Sequence, residues 1–407
     1  MYYESILMKK RDCWRDLGAV FAALFWSLAP LPLLAAPFVP RDDAQVLETL
    51  PTKASDPSAR ELRALRDALT RDPGNPDSAV ELAQRYFDLA SAEGDPRYIG
   101  YAEAVIRPWL GRDIPVEVQF TRALLLQYRH DFRNAMADLD GVLARNAGHA
   151  RALGWKWAIF MVMADYANAR QACEKRKIVA SALSIAACFA TVDSRTGNAR
   201  AAYAALDAAF KRSPSRSPEN RQWMLTRLGE IALLAGDPLR AERHFRDALA
   251  TGVTDGYVLA AYADLLLDQK RPADVVTLLK DWTRSDIQLL RLAIAAKMLG
   301  TQNAPALVQA LSDRFADAAL RGDKLHLAEE ARFEMILRNN PARAVELAVE
   351  NWNLLQREPY DARVLLETAL AAKNPLAARP ALEWLQKTGY EETRFLELGK
   401  ALGKIAQ

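Results

Sequence analysis

Eight small residues recur along the chain at nearly one spacing: Ala102, Ala135, Ala169, Ala202, Ala241, Val275, Ala344 and Ala378, with gaps of 33, 34, 33, 39, 34, 69 and 34 positions. The step of 69 is two periods. A fixed period near 34 is that of a helix-turn-helix array, in which no unit can bury its apolar face alone and each packs against the next. The spacing predicts an all-α chain with each small residue on the second helix of a pair. It also places function on a surface rather than in a catalytic pocket.

The best-formed unit reads Leu225, Leu228, Gly229 and Ala232, then Gly236-Asp237-Pro238, then Ala241, Phe245, Ala248 and Leu249. Gly229 and Ala241 are small where two helices cross closely, with Leu228, Phe245 and Leu249 filling either side. Gly236 tolerates the positive φ that ends a helix, Asp237 caps the next, and Pro238 suits its first turn. This pattern closely resembles the tetratricopeptide (TPR) repeat. The resemblance spans roughly residues 59–390 and implies a solenoid of antiparallel helix pairs wound into a right-handed superhelix.

Other units are turned at His130-Asp131-Phe132, Asp165-Tyr166, Thr196-Gly197-Asn198, Asn340-Pro341 and Asn374-Pro375. Trp157 occupies a position where the repeat has a small residue, which predicts wider helix spacing there. Residues 285–322 are nearly featureless, with Ala306 or Ala310 as candidate anchors. A basic Ser/Pro run from Lys211 to Pro218 accounts for the 39-residue gap and reads as a solvated elbow between two stacks of repeats. The expected organisation is therefore repeats over 59–210, a linker over 211–219, repeats over 220–390, and a closing helix over 391–407 whose early Glu391 and Glu392 and late Lys400 and Lys404 suit the helix dipole. The stretch from Gly94-Asp95-Pro96 to Pro108-Trp109 is similar to exported bacterial TPR proteins without an assigned role.

Before the array, Lys9, Lys10, Arg11 and Arg15 precede an apolar stretch from Leu17 to Ala36 that ends in small residues. That order is a secretory signal peptide over residues 1–36, cut after Ala35 or Ala36, followed by an extended linker over 37–58. The rival is an uncleaved anchor. Pro30 and Pro32 leave only Leu17 to Ala29 uninterrupted, short of the roughly 20 residues a membrane helix needs, which favours cleavage. Export makes the location periplasmic or secreted, with no stable membrane insertion afterwards. Of three cysteines, Cys13 falls in the segment to be removed, leaving Cys173 and Cys188 fifteen positions apart across a helix-helix turn. They are either a disulfide between neighbouring units or two small core residues that never bond.

Net charge is +3 over the chain, and the first 36 residues hold four basic and three acidic groups, so the remainder is near neutral. No basic stripe appears, which argues against nucleic acid as a partner. The sequence holds no G-x-S-x-G elbow, phosphate loop, H-E-x-x-H or paired C-x-x-C. His326 with Glu329 or Glu330 is the only nitrogen-carboxylate arrangement on one helical face, and two ligands do not make a metal site. We therefore expect no enzyme, no cofactor and no metal, but a binding scaffold for a protein or peptide of the cell envelope. In the TPR family the first helices of successive units line the concave face, and the resemblance carried onto this chain gives Gln84, Asp88, Gln127, Arg151, Trp223, Tyr257, Asp264 and Asp268 as the groove. The other reading is an accessory subunit of polysaccharide or envelope-polymer export.

Overall fold

The computed structural model describes residues 56–213 and 217–405. The chain divides at Ala59/Arg60 into two compact units, and the second, Arg60–Gln407, holds all of the hairpins. The segments expected at residues 1–36 and nearly all of 37–58 lie outside the described residues.

Helix α1 (Pro57–Arg71) leads into nine consecutive hairpins: α2 (Pro76–Glu93) with α3 (Arg97–Ile106), α4 (Val116–Tyr128) with α5 (Phe132–Arg145), α6 (Ala150–Val162) with α7 (Tyr166–Arg176), α8 (Ala182–Ser194) with α9 (Ala199–Arg212), α10 (Pro218–Leu234) with α11 (Pro238–Leu249), α12 (Gly256–Asp268) with α13 (Pro272–Leu279), α14 (Asp286–Leu299) with α15 (Ala304–Leu320), α16 (Leu327–Ile336) with α17 (Pro341–Asn353), and α18 (Pro359–Ala371) with α19 (Pro375–Thr388). Helix α20 (Thr393–Ile405) closes the array, burying Phe395 and Leu402. The described residues form a TPR-like solenoid of antiparallel helix pairs.

One turn recurs within the hairpins. His130, Ala164, Gly197, Gly236, Lys270, Asn339 and Lys373 all take positive φ, and each is followed at once by the residue that caps the second helix. That cap returns its backbone N–H to a carbonyl of the preceding helix, as in Asp165 to Phe160 (2.8 Å), Asp237 to Ala232 (2.9 Å) and Asn374 to Ala369 (2.9 Å). The helix end is thereby satisfied as in a Schellman motif. At most of these turns the Asp or Asn side chain also accepts from a backbone N–H three residues on. Four residues after the cap come the small anchors Ala135, Ala169, Ala202, Ala241, Val275, Ala344 and Ala378, all buried, as is Ala102 of the first hairpin. Four further on, Leu139, Cys173, Leu206, Phe245, Leu279 and Ala348 are buried beside them.

The featureless unit follows the same rule with different residues. From its cap at Asn303, the place of the small anchor is taken by Leu307 and the next contact is Leu311, while Ala304 is buried at the helix start. Ala306 is exposed and Ala310 half-buried, so neither expected anchor holds the contact. At α10 and α11, a Cβ on Gly229 would meet the Phe245 ring at 2.6 Å, so only glycine lets these helices approach. Residues 214–216 of the Ser/Pro run lie outside the described residues. On either side of them Leu206, Met224 and Leu228 share one apolar cluster, and the core is continuous there.

First helices form an inner layer and second helices an outer one. Helix α14 buries every residue from Gln288 to Ala296, whereas outer α11 buries only Ala241, Phe245 and Ala248. Cys173 on α7 and Cys188 on α8 are disulfide-bonded, with Cα atoms 5.8 Å apart, and both are fully buried. The ribbon curls until distant hairpins touch. Helix α2 packs on α12, Arg357 donates its N–H to the Val162 carbonyl (2.9 Å), and Ala199 donates its N–H to Glu391 Oε2 (2.8 Å). Trp157 and Cys188 share a core with Trp352 and Ala381. Two of these seams run over glycine: a Cβ on Gly94 would lie 2.6 Å from Ser285 Oγ, and one on Gly197 would lie 3.1 Å from the Gly389 carbonyl oxygen.

Candidate binding cavity

This curling leaves a half-open cavity of about 780 Å³, lined mainly by the inner-layer helices and by the turn that leads into α20. Its size is in the range of ligand pockets. The wall is built from charges that interrupt otherwise apolar inner helices. On α12, Asp264 accepts from Arg291 Nη2 of α14 (2.6 Å) and Arg332 Nη1 of α16 (2.5 Å). Both arginines are 3 % exposed. Burial alone would raise the Asp264 carboxyl, but Arg291, Arg332 and Arg363 outweigh it and hold it far below the ordinary carboxylate range. Removing Asp264 would leave the buried Arg291 and Arg332 charges uncompensated, at a cost of about 3–5 kcal/mol.

One turn along, Asp268 takes a bidentate pair from Arg363 of α18 (2.8 and 3.0 Å) and a contact from Arg394 at the start of α20 (2.5 Å). A third carboxylate, Glu230 of α10, accepts from the Tyr257 hydroxyl, lies 3.0 Å from Arg227 and 3.8 Å from Arg195. Arg195 also donates to the Tyr390 hydroxyl (3.3 Å). Six arginines thus serve three carboxylates. Tyr257 is 43 % exposed although it stands deep in the molecule, because its ring faces the open cavity.

The expected groove residues separate into groups. Gln127, Tyr257, Asp264 and Asp268 line the cavity. Gln84, Asp88 and Arg151 sit together elsewhere: Arg151 donates to Gln84 Oε1 (2.8 Å), Gln84 donates to Thr121 Oγ1 (3.0 Å), and Asp88 stands exposed within range of the Arg151 charge. Trp223 is wedged against Trp157 with ring centres 6.4 Å apart, away from the cavity. Sequence reasoning missed Arg195, Glu230, Glu358, Asp361 and Arg363, and singled out Glu329 only beside His326. A signal existed in a lone charge within an apolar run, Arg291 in Leu289-Leu290-Arg291-Leu292. Charge in such a run is rarely buried unless paired.

Among the described residues no group of three or more His, Cys, Asp or Glu is placed to hold a metal ion, and no helix is long and apolar enough to cross a membrane. His326 stands at the start of α16 with Glu329 buried one turn on. His244 instead meets the Tyr203 hydroxyl at 2.8 Å.

Repeated helix hairpins curled around a lined cavity define a helix-repeat scaffold of the TPR-like kind. No protein-family model and no curated protein matches the chain. Among solved structures, the chain is similar to one described as "Crystal structure of APC/C hetero-tetramer Cut9-Hcn1", at 15 % identity and TM-score 0.51, over 86 % of this chain and 66 % of that one. The chain therefore spans just under two thirds of that chain's length, and at this identity the likeness is one of fold. The P58(IPK) TPR domain aligns at 15 % identity over 86 % of this chain and 93 % of that one, with a TM-score of 0.22.

Proposed function

We propose that this protein is a cell-envelope scaffold that holds a segment of a protein or peptide partner in its cavity. One observation carries the reading: a cavity of about 780 Å³ walled by inner-layer helices, into which Tyr257 presents an accessible ring. Side chains of a bound segment would stack on that ring, while the arginine-carboxylate pairs fix the wall around it. The paired arginines Arg291 and Arg332 are already committed to Asp264 and supply rigidity rather than capture. For location, the reading rests on the basic-then-apolar order of residues 9–36 and on the Cys173–Cys188 bond, which suits an oxidising compartment.

The test is site-specific crosslinking in cells. A photo-reactive amino acid replacing Tyr257 should capture one partner in the envelope fraction. The same group replacing Leu376, exposed on outer α19, should capture none. Equal capture from both positions, or a protein found only in the cytoplasm, would sink the proposal.

A further inference from the structure

Among the described residues, four carboxylates of the cavity wall have no arginine within ion-pairing distance; one of them, Glu392, accepts from the Tyr390 hydroxyl (3.2 Å), which leaves Glu329, Glu358 and Asp361. Glu329 of α16 is 9 % exposed and, among the described residues, makes neither a hydrogen bond nor an ion pair with another side chain. Glu358 spends its carboxylate on the backbone at the start of α18, and Asp361 accepts from Asn351 Nδ2 (2.8 Å) and from the Glu358 N–H (2.9 Å). All three line the cavity. An independent group on the same wall also lacks a donor. Gln288 of α14 is 1 % exposed, and its amide nitrogen donates to the Gly256 carbonyl (2.7 Å) while its Oε1 has no partner. A buried acceptor without a donor is costly; the same wall also holds a buried donor without an acceptor, Gln356 Nε2, but the carboxylates outnumber it and favour a ligand that brings N–H groups and positive charge.

We infer that the cavity takes a basic segment, with a lysine ammonium seated among Glu329, Glu358 and Asp361. This rests on the scaffold reading above and adds the chemistry of its ligand. An ammonium supplies three donors from a compact charge, and the lysine stem would cross the apolar part of the wall near Tyr257 and Tyr360. Burial raises the Glu358 carboxyl and pushes Asp361 up to about 8, so Asp361 holds a proton at neutral pH while the site is empty, and the incoming cation would displace it. Each of the six arginines is paired with Glu230, Asp264 or Asp268, and Arg195 and Arg227 act on Glu358 only from longer range.

Calorimetric titration of the purified full chain tests this with four probes: a blocked octapeptide alternating lysine and glycine, its glutamate and serine counterparts, and spermidine. The lysine peptide should bind and the glutamate peptide should not. Glu329→Gln, close in shape, should weaken the lysine peptide at least tenfold while helical circular dichroism and melting temperature stay unchanged. Should that variant unfold, raising salt from about 0.05 to 0.5 M on the unaltered protein must weaken binding by a similar factor, because screening tightens over that range. Lysine-peptide binding indifferent to both Glu329→Gln and salt overturns the inference. Spermidine binding with the same dependence on Glu329, without peptide binding, overturns the peptide as the source of the ammonium. Binding of the serine peptide alone overturns the charge assignment and leaves the scaffold reading standing, whereas binding of no peptide at all removes both.

Discussion

At the scale of single residues, the most consequential group for pH is Asp361. Burial first, then the neighbouring Glu358 charge, pushes its carboxyl up to about 8 against the hydrogen bonds from Asn351 and the Glu358 N–H. The unfolded value is near 4. Between those two pH values the folded chain holds a proton that the unfolded chain has lost, so stability falls as pH rises through the window and levels off above about 8. Asp361→Asn removes the titration, and melting temperature measured between about pH 6 and 9 should then decline less steeply than in the unaltered protein. Parallel declines would show that Asp361 ionises freely. None of this is legible in the sequence, because Asp361 is one acid among 51 and its neighbours Asn351 and Glu329 come from other helices. Asp264 and Asp268 are legible as groove residues from their register on a first helix. Their arginine partners are not, because they come from α14, α16, α18 and α20, at separations that no local pattern encodes.

At the scale of the element, the hairpin turn carries both legibility and strain. Gly236-Asp237-Pro238 announces itself, and so do Asn340-Pro341 and Asn374-Pro375, because cap and proline chemistry is local. Lys270 and Lys373 do the same backbone work at φ +60° and +52° without glycine, and both are exposed. A non-glycine residue in that region costs about 1–2 kcal/mol, and glycine gives back roughly 0.5–1 kcal/mol through its greater freedom when unfolded. Lys270→Gly and Lys373→Gly should therefore each stabilise the protein by about 0.5–1 kcal/mol, read as a higher urea midpoint at unchanged slope. A lower midpoint would mean that the lysine stems contribute packing that outweighs the strain. The unit at residues 285–322 is illegible for a related reason. Its small anchor is replaced by Leu307, and its first helix is buried on all sides from Gln288 to Ala296, so no polar face marks it.

At the scale of the whole molecule, the period gives the order of hairpins but not how tightly the ribbon winds. Winding is set at seams such as Gly94 against Ser285 and Gly197 against Gly389, where backbone meets backbone or nearly so. Gly197→Val would force these apart both through its positive φ and through the added side chain. The expected result is a larger radius of gyration by small-angle X-ray scattering with helical circular dichroism retained, since each hairpin still packs on its sequence neighbours. Unchanged dimensions would show that the Gly197 seam does not hold the winding. An open solenoid unfolds piecemeal, repeat by repeat, because each unit answers only to the next. Here the contacts from Arg195 to Tyr390 and from Ala199 to Glu391 join positions 195 and 192 residues apart. Damage to one hairpin is therefore felt across the ring, and refolding must wait for a late meeting of distant partners, so the protein should melt as one cooperative body and regain its shape more slowly than its helices form.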